Sequence, residues 1–318
     1  MGFALRRLAS GLVTVWFAAS LAFVLGHLSP GGPAVALGGE YGAPGHLEEV
    51  TRAYGLDRPM HVLYVDWLGR VARGDLGMSY RAQAPVATLI AERAPVTLAL
   101  MLPALLLSAA AGLALGLALA GGGNRRSPVV ATLAGLHALP GYVVAQGLVI
   151  VFALGLGWLP VQGLGDARAG PGAAGVLQAA RHLTLPVLSL AIVQLAYVAI
   201  LTYARVGEEL RRPYVMTAYA KGLSAFAVKR GHALRNAALP LLTLLGWRFA
   251  ALVSGAVVIE TVFALPGLGR LAVTSAAARD HPTVVGIVLV ACAVVVLVNV
   301  AVDIVAQRLD PRIAGAWS

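Results

Sequence analysis

Six stretches of the chain stay apolar for more than 20 residues at a time: 8–28, 96–120, 129–155, 183–204, 241–262 and 283–306. A helix rises about 1.5 Å per residue, so about 20 such residues cross the ~30 Å hydrocarbon layer of a bilayer. Runs this long keep no polar face for water, which excludes an ordinary soluble core. The pattern predicts an all-α integral membrane protein with six transmembrane helices. The first run follows Arg6 and Arg7 as a secretory signal would. Its 21 residues exceed the ~7–15 of a signal core, so it reads as a retained first helix.

Six spans place both termini on one side. Thirteen of the 24 Lys and Arg residues then share that side with only Glu208, Glu209, Asp303 and Asp310, while the other side carries ten of each sign, Glu260 included. Basic loops stay cytoplasmic, so both termini are expected in the cytoplasm, although this rule weighs the long outer segment lightly. The formal charge of +10 is thus a topology signal. No nucleic-acid partner is expected, because the basic residues are not interleaved with exposed aromatics.

Between the first two runs lies a polar segment, 29–95, on the outer face. The stretch 43–55 reads as a short helix with Pro44 near its start and Gly55 as its stop. Met60, Leu63, Trp67 and Val71 then share one face of a second helix that ends at Gly74. "GDLGMSY" reads as a turn, and 85–95 as one more short amphipathic helix leading into the membrane. "GGGNRRSP" makes a tight inner turn, and 158–182 a Gly- and Pro-rich outer loop. Pro103 and Pro140 are expected to bend spans two and three.

Reactive chemistry is missing. The chain contains no HExxH, no G-x-S-x-G and no P-loop, since Lys221 is not followed by Ser or Thr. Its seven histidines do not fall at metal-binding spacing, and Cys292 is the only cysteine. No catalytic residue, cofactor site or metal site is expected, and any ATP-dependent work requires another subunit. Polar residues within the spans are few, and Gln146, Gln194 and Arg248 are the candidates for a translocation path. Arg248, midway along its span, either faces a pore or pairs with a carboxylate or carbonyls of another subunit. So sparse a set argues against the proton relay of an ion-coupled transporter.

One polar segment departs from this economy. Residues 213–240 hold both lysines of the chain, with Arg230 and Arg235, and no acid. Pro213 suits a first helical turn, Gly222 a stop, and Ser224 the cap of a second helix. The small residues Thr217, Ala218 and Ala220 allow close approach of another surface. Here the sequence resembles a known family: "TAYAKGLS…HALRNAALP" is similar to the EAA loop of bacterial ABC importer permeases in the dipeptide/oligopeptide form. "GLDRPMHVLYVDWLGRVARGDLGMSY", "ETVFALPGLGRL" and the final "DHPTVVG…RLDPRI" agree with it, so the likeness covers essentially the whole chain. It points to the B-type subunit, with a long extracytoplasmic segment after helix 1.

The resemblance implies a type I importer permease fold in the bacterial inner membrane. It divides the chain into a first helix (1–28), an extracytoplasmic segment (29–95), a transmembrane core (96–306, with a coupling loop at 205–240) and a cytoplasmic tail (307–318). It implies a second related permease, two ATPase subunits that bind the ATP and Mg²⁺, and an external solute-binding protein as partners. It implies transport of di- or oligopeptides by alternating access, or of nickel, metallophores or another solute. The coupling helix maps to Tyr214, Val215, Met216, Thr217, Ala218, Lys221 and Gly222, followed by Leu223 and Ser224. His232, Arg235 and Asn236 lead back toward the membrane. Two positions depart from the general pattern: Met216 replaces its Glu, and Gly231 is expected to loosen the second helix.

Overall fold

The computed structural model describes residues 2–28, 57–122, 127–165 and 172–309. The helix expected over 43–55, the turn residues Arg125 and Arg126, and the tail from 310 lie outside them. The described residues are almost wholly helical. In chain order the helices are α1 (Gly2–Leu28), α2 (Met60–Val71), α3 (Val86–Leu119), α4 (Ser127–Ala138), α5 (Gly141–Leu148), α6 (Ala173–Glu209), α7 (Pro213–Ala220), α8 (Ala225–Val228), α9 (Leu234–Val262), α10 (Leu268–Ala277) and α11 (His281–Leu309). π-helical turns follow α5, at Val149–Gly155, and α8, at Lys229–Ala233. Among the described residues four helices are long and apolar enough to cross a bilayer alone, and the spans number up to six when each of two bent pairs counts as one.

Several elements differ from the sequence-based expectation. Residues 86–95 are not a separate amphipathic helix: α3 runs unbroken through Pro95 and Pro103 for 34 residues. At about 51 Å it outreaches the hydrocarbon layer. The outer loop is shorter than expected, because α6 already begins at Ala173. The run 129–155 is bent at Pro140 as expected, but more sharply than a kink: its two helices are inclined by 99°. Pro140 stands at the break and supplies the extended residue before α5, and its ring cannot donate the hydrogen bond that would continue α4. Glu260, counted with the outer charges, is wholly buried near the end of α9.

The chain divides into two compact units. The first comprises residues up to 97 together with 266–297. Its core joins Val86 and Ile90 of α3 to Ile287 of α11, with Leu268, Leu271 and Ala272 of α10 packed against them. Phe23 of α1 stacks on Trp67 of α2, meets the Tyr64 ring edge-on and packs against His27 one turn along its own helix, and the Ser20 hydroxyl meets the Tyr64 hydroxyl at 2.7 Å. Asp280 is the polar centre of this unit. Buried to 1% exposure, it accepts hydrogen bonds from Ser79 Oγ (2.6 Å), the Tyr80 backbone N–H (2.9 Å) and Thr283 Oγ1 (2.7 Å). The Thr97 hydroxyl accepts from the Leu268 N–H and so serves one of the free donors that open α10.

The second unit comprises 98–265 and the residues from 298. Its hub is α6, which packs against α4, α5 and α9. Gly112 and Gly116 bring α3 against α6. A Cβ at Gly116 would stand 2.5 Å from the Ala199 carbonyl oxygen, and one at Gly112 2.7 Å from Val198 Cβ. Small residues four apart let membrane helices approach this closely. The two halves of α9 are inclined by 52° on either side of residues 245–247.

Candidate functional site

The segment 205–240 is built around one short helix. Arg212 is extended and Pro213 opens α7, where its missing N–H costs nothing. Val215 and Ala218 are buried against Val228 of α8, with Leu210 and Tyr214 around them. Ala218 therefore serves the internal packing of the loop and is not part of a surface offered outward, as its small size had suggested. Gly222 ends the turn at φ +81°, a conformation that L side chains rarely adopt. Its N–H reaches the Tyr219 carbonyl at 2.9 Å, and Ser224 Oγ then accepts from the Ala227 N–H at 3.3 Å to start α8.

Tyr214 ties this loop to its surroundings. Its hydroxyl donates to Glu209 Oε2 at 2.7 Å, Glu209 pairs with Arg212 Nε at 3.6 Å, and the Asn236 side chain hydrogen-bonds the phenol from α9. Burial pushes the Tyr214 phenol above its usual pKa, the Asn236 bond opposes that, and the Glu209 charge adds to it. The group therefore stays neutral and able to donate throughout the physiological range.

The second helix starts after Ser224 as expected but does not end before the membrane. α8 passes through the π-helical turn at Lys229–Ala233 directly into α9. Gly231 sits inside that turn, where helix propensity is weakest. His232, Arg235 and Asn236 are exposed on this continuous segment, as are Thr217, Lys221, Gly222 and Ser224. The surface also carries apolar groups: Met216 is 72% exposed and Phe226 64%, with Tyr219 and Leu223 exposed beside them. Neither Tyr219 nor Phe226 was marked as a site residue from sequence, and an apolar position at a turn boundary carries no distinctive signal.

Within the spans, two of the three predicted path residues meet. Arg248 Nη2 donates to Gln194 Oε1 at 2.8 Å, and the Arg248 guanidinium carbon lies 4.0 Å from the centre of the Tyr197 ring. Tyr197 in turn packs against His137, with ring centres 5.2 Å apart. Gln146 lies exposed on α5 and forms no hydrogen bond with them. Tyr197 and His137 were missed from sequence, because single aromatic and imidazole rings in apolar runs are usually packing.

Long apolar helices and bent helix pairs, with a helical loop whose apolar residues face outward, define a multi-pass membrane protein with a surface suited to a partner. The family described as "Binding-protein-dependent transport system inner membrane component" matches residues 112–315, and its N-terminal counterpart matches residues 1–101. The chain is similar to the di/tripeptide transport system permease protein DppB of Pseudomonas aeruginosa, at 34% identity over 98% of both chains. It is also similar to the glutathione transport system permease protein GsiC of Escherichia coli, at 32% identity over 98% of this chain and 99% of that one. Its fold resembles a solved chain of the MetNI methionine ABC transporter, with a TM-score of 0.56 at 19% identity, covering 70% of this chain and 97% of that chain. The chain belongs to the family of binding-protein-dependent transport system inner membrane components. It is the permease subunit of an ABC importer, a multi-pass inner-membrane component without catalytic work of its own. Membership implies ATPase and binding-protein partners.

Proposed function

We propose that this permease carries di- or oligopeptides, delivered by an external binding protein, through a pore formed with a second related permease. Two ATPase subunits bind ATP and Mg²⁺ and drive the change by alternating access. The observation that carries this reading is the outward apolar surface of α7 and α8, where Met216, Tyr219, Leu223 and Phe226 stand exposed in a segment outside the apolar runs. Such groups favour a protein partner over water. Val215, Ala218 and Val228 lock the two helices together, so a displacement at their tip is transmitted into α9 and not absorbed by bending. ATP-driven closure of the ATPases moves this loop and opens the spans outward, and hydrolysis restores the inward state. A partner shifts such an equilibrium only through contacts that differ between the two states. The peptide cargo is supported by the relatives named for di/tripeptide and glutathione transport.

The test is ATP hydrolysis by the complete complex in proteoliposomes. Hydrolysis should rise when the binding protein is loaded with trialanine, and trialanine should accumulate inside. Stimulation by Ni²⁺ or a metal chelate in place of peptide would replace the cargo while leaving the coupling intact.

A further inference from the structure

The cation in the spans is held from within the chain yet not neutralised. A guanidinium has five N–H donors. In Arg248 one nitrogen serves Gln194, while the buried Nε finds no hydrogen-bond partner. No carboxylate among the described residues pairs with it. Gln194 is neutral, and the Tyr197 ring offers only its quadrupole, so neither supplies a counter-charge. A charge kept in a low-dielectric span without one is expensive.

The position of the group is informative. Gln194 and Tyr197 are one turn apart on α6, so together they fix the orientation of the guanidinium. Arg248 lies just beyond the 52° bend of α9, and His137 just before the 99° break between α4 and α5. Tyr197 contacts both, so both interrupted spans meet at one side chain of α6. His137 also holds a buried Nδ1 with no partner. Interrupted helices with polar groups at the break are how membrane carriers build solute sites.

We infer that Arg248, positioned by Gln194 and Tyr197 and flanked by His137, is a receptor for the carboxylate of the transported solute. The ligand class is a small carboxylate-bearing molecule such as a peptide with a free C-terminus. A guanidinium engages a carboxylate through two parallel N–H···O bonds, and an amide terminus offers neither the charge nor that fork. The inference rests on the reading of Arg248 as lining the passage. It gives the permease its own preference for cargo, separate from that of the binding protein.

The experiment measures equilibrium binding of labelled trialanine and of trialanine carboxamide to the purified complete complex, without its binding protein. Wild type should bind the free carboxylate at least about tenfold more tightly, the range of one charged hydrogen-bonded pair. Arg248→Gln should bind both forms alike, and Arg248→Lys should retain part of the preference. Equal binding of the two forms by wild type, or binding of neither, overturns the inference. So does a preference that survives Arg248→Gln. Loss of partner subunits from Arg248→Gln on purification, with an unaltered preference in Arg248→Lys, assigns the charge to pairing between subunits and also overturns it. Carboxylate preference in this assay without trialanine uptake in proteoliposomes would count against the peptide cargo and leave the receptor standing.

Discussion

Gly116 sits where α3 and α6 come closest, and its value is the side chain it lacks. The nearest atoms to an added Cβ are the Ala199 backbone oxygen and Thr202 Cβ, both 2.5 Å away, and neither is the end of a flexible chain. Thr202 is itself fully buried, so it has nowhere to turn. Gly116→Ala should cost about 1–3 kcal/mol through this overpacking. The check is a lower melting temperature of the purified complex, with Gly207→Ala, which meets open space, as the control. The spacing of Gly112 and Gly116 is visible in the sequence, but the partner helix that makes it matter is not. Arg248 was legible as an anomaly because charge is rare in an apolar run. Its partners were not, since Gln194 and Tyr197 lie more than 50 positions away and meet it only once α6 and α9 pack.

Elements were legible where a single local cause sets them. The α7 boundaries follow from Pro213 and Gly222, and the start of α8 from Ser224. The break at Pro140 was harder, because Pro95, Pro103, Pro186 and Pro240 lie inside continuous helices. A proline shows where a hydrogen bond is lost, and tertiary packing decides whether the helix turns there. The same helix pair carries a prediction about function. A Cβ at Gly222 would meet no atom of this chain, while its φ of +81° strains any L residue. Gly222→Trp should leave insertion and assembly intact but uncouple ATP hydrolysis from transport, because the bulk projects from the exposed tip of the loop. Phe226→Asp should act in the same direction by placing a charge in the apolar surface. Full transport by a normally expressed Gly222→Trp would remove α7 from the coupling role.

At the scale of the whole molecule, the open question is which way the chain threads the membrane. Hydrophobic runs fix the number of crossings but are symmetric with respect to the two faces. Orientation comes from Lys and Arg in short loops near the spans, and the long segment between α1 and α3 contributes little to it. The short loops are lopsided: Arg205, Arg211, Arg212, Lys221, Lys229, Arg230 and Arg235 crowd one of them against Glu208 and Glu209 alone. By this rule we expect the loop, and both termini, in the cytoplasm. The test uses single cysteines in a Cys292→Ala chain, since Cys292 is the only native thiol. Arg58, Arg181, Arg211 and Arg308 are all exposed, so each accepts the replacement. A membrane-impermeant maleimide applied to intact spheroplasts should label Arg58→Cys and Arg181→Cys. Arg211→Cys and Arg308→Cys should react only after the membrane is opened. The reverse pattern would place α7 and α8 outside, beyond reach of any ATPase. Labelling of Arg211→Cys and Arg308→Cys on opposite faces would instead show that the bent α9 pair re-enters the membrane without crossing it. An odd number of crossings separates those two positions only then, so this one experiment also decides whether the α9 pair is a full span.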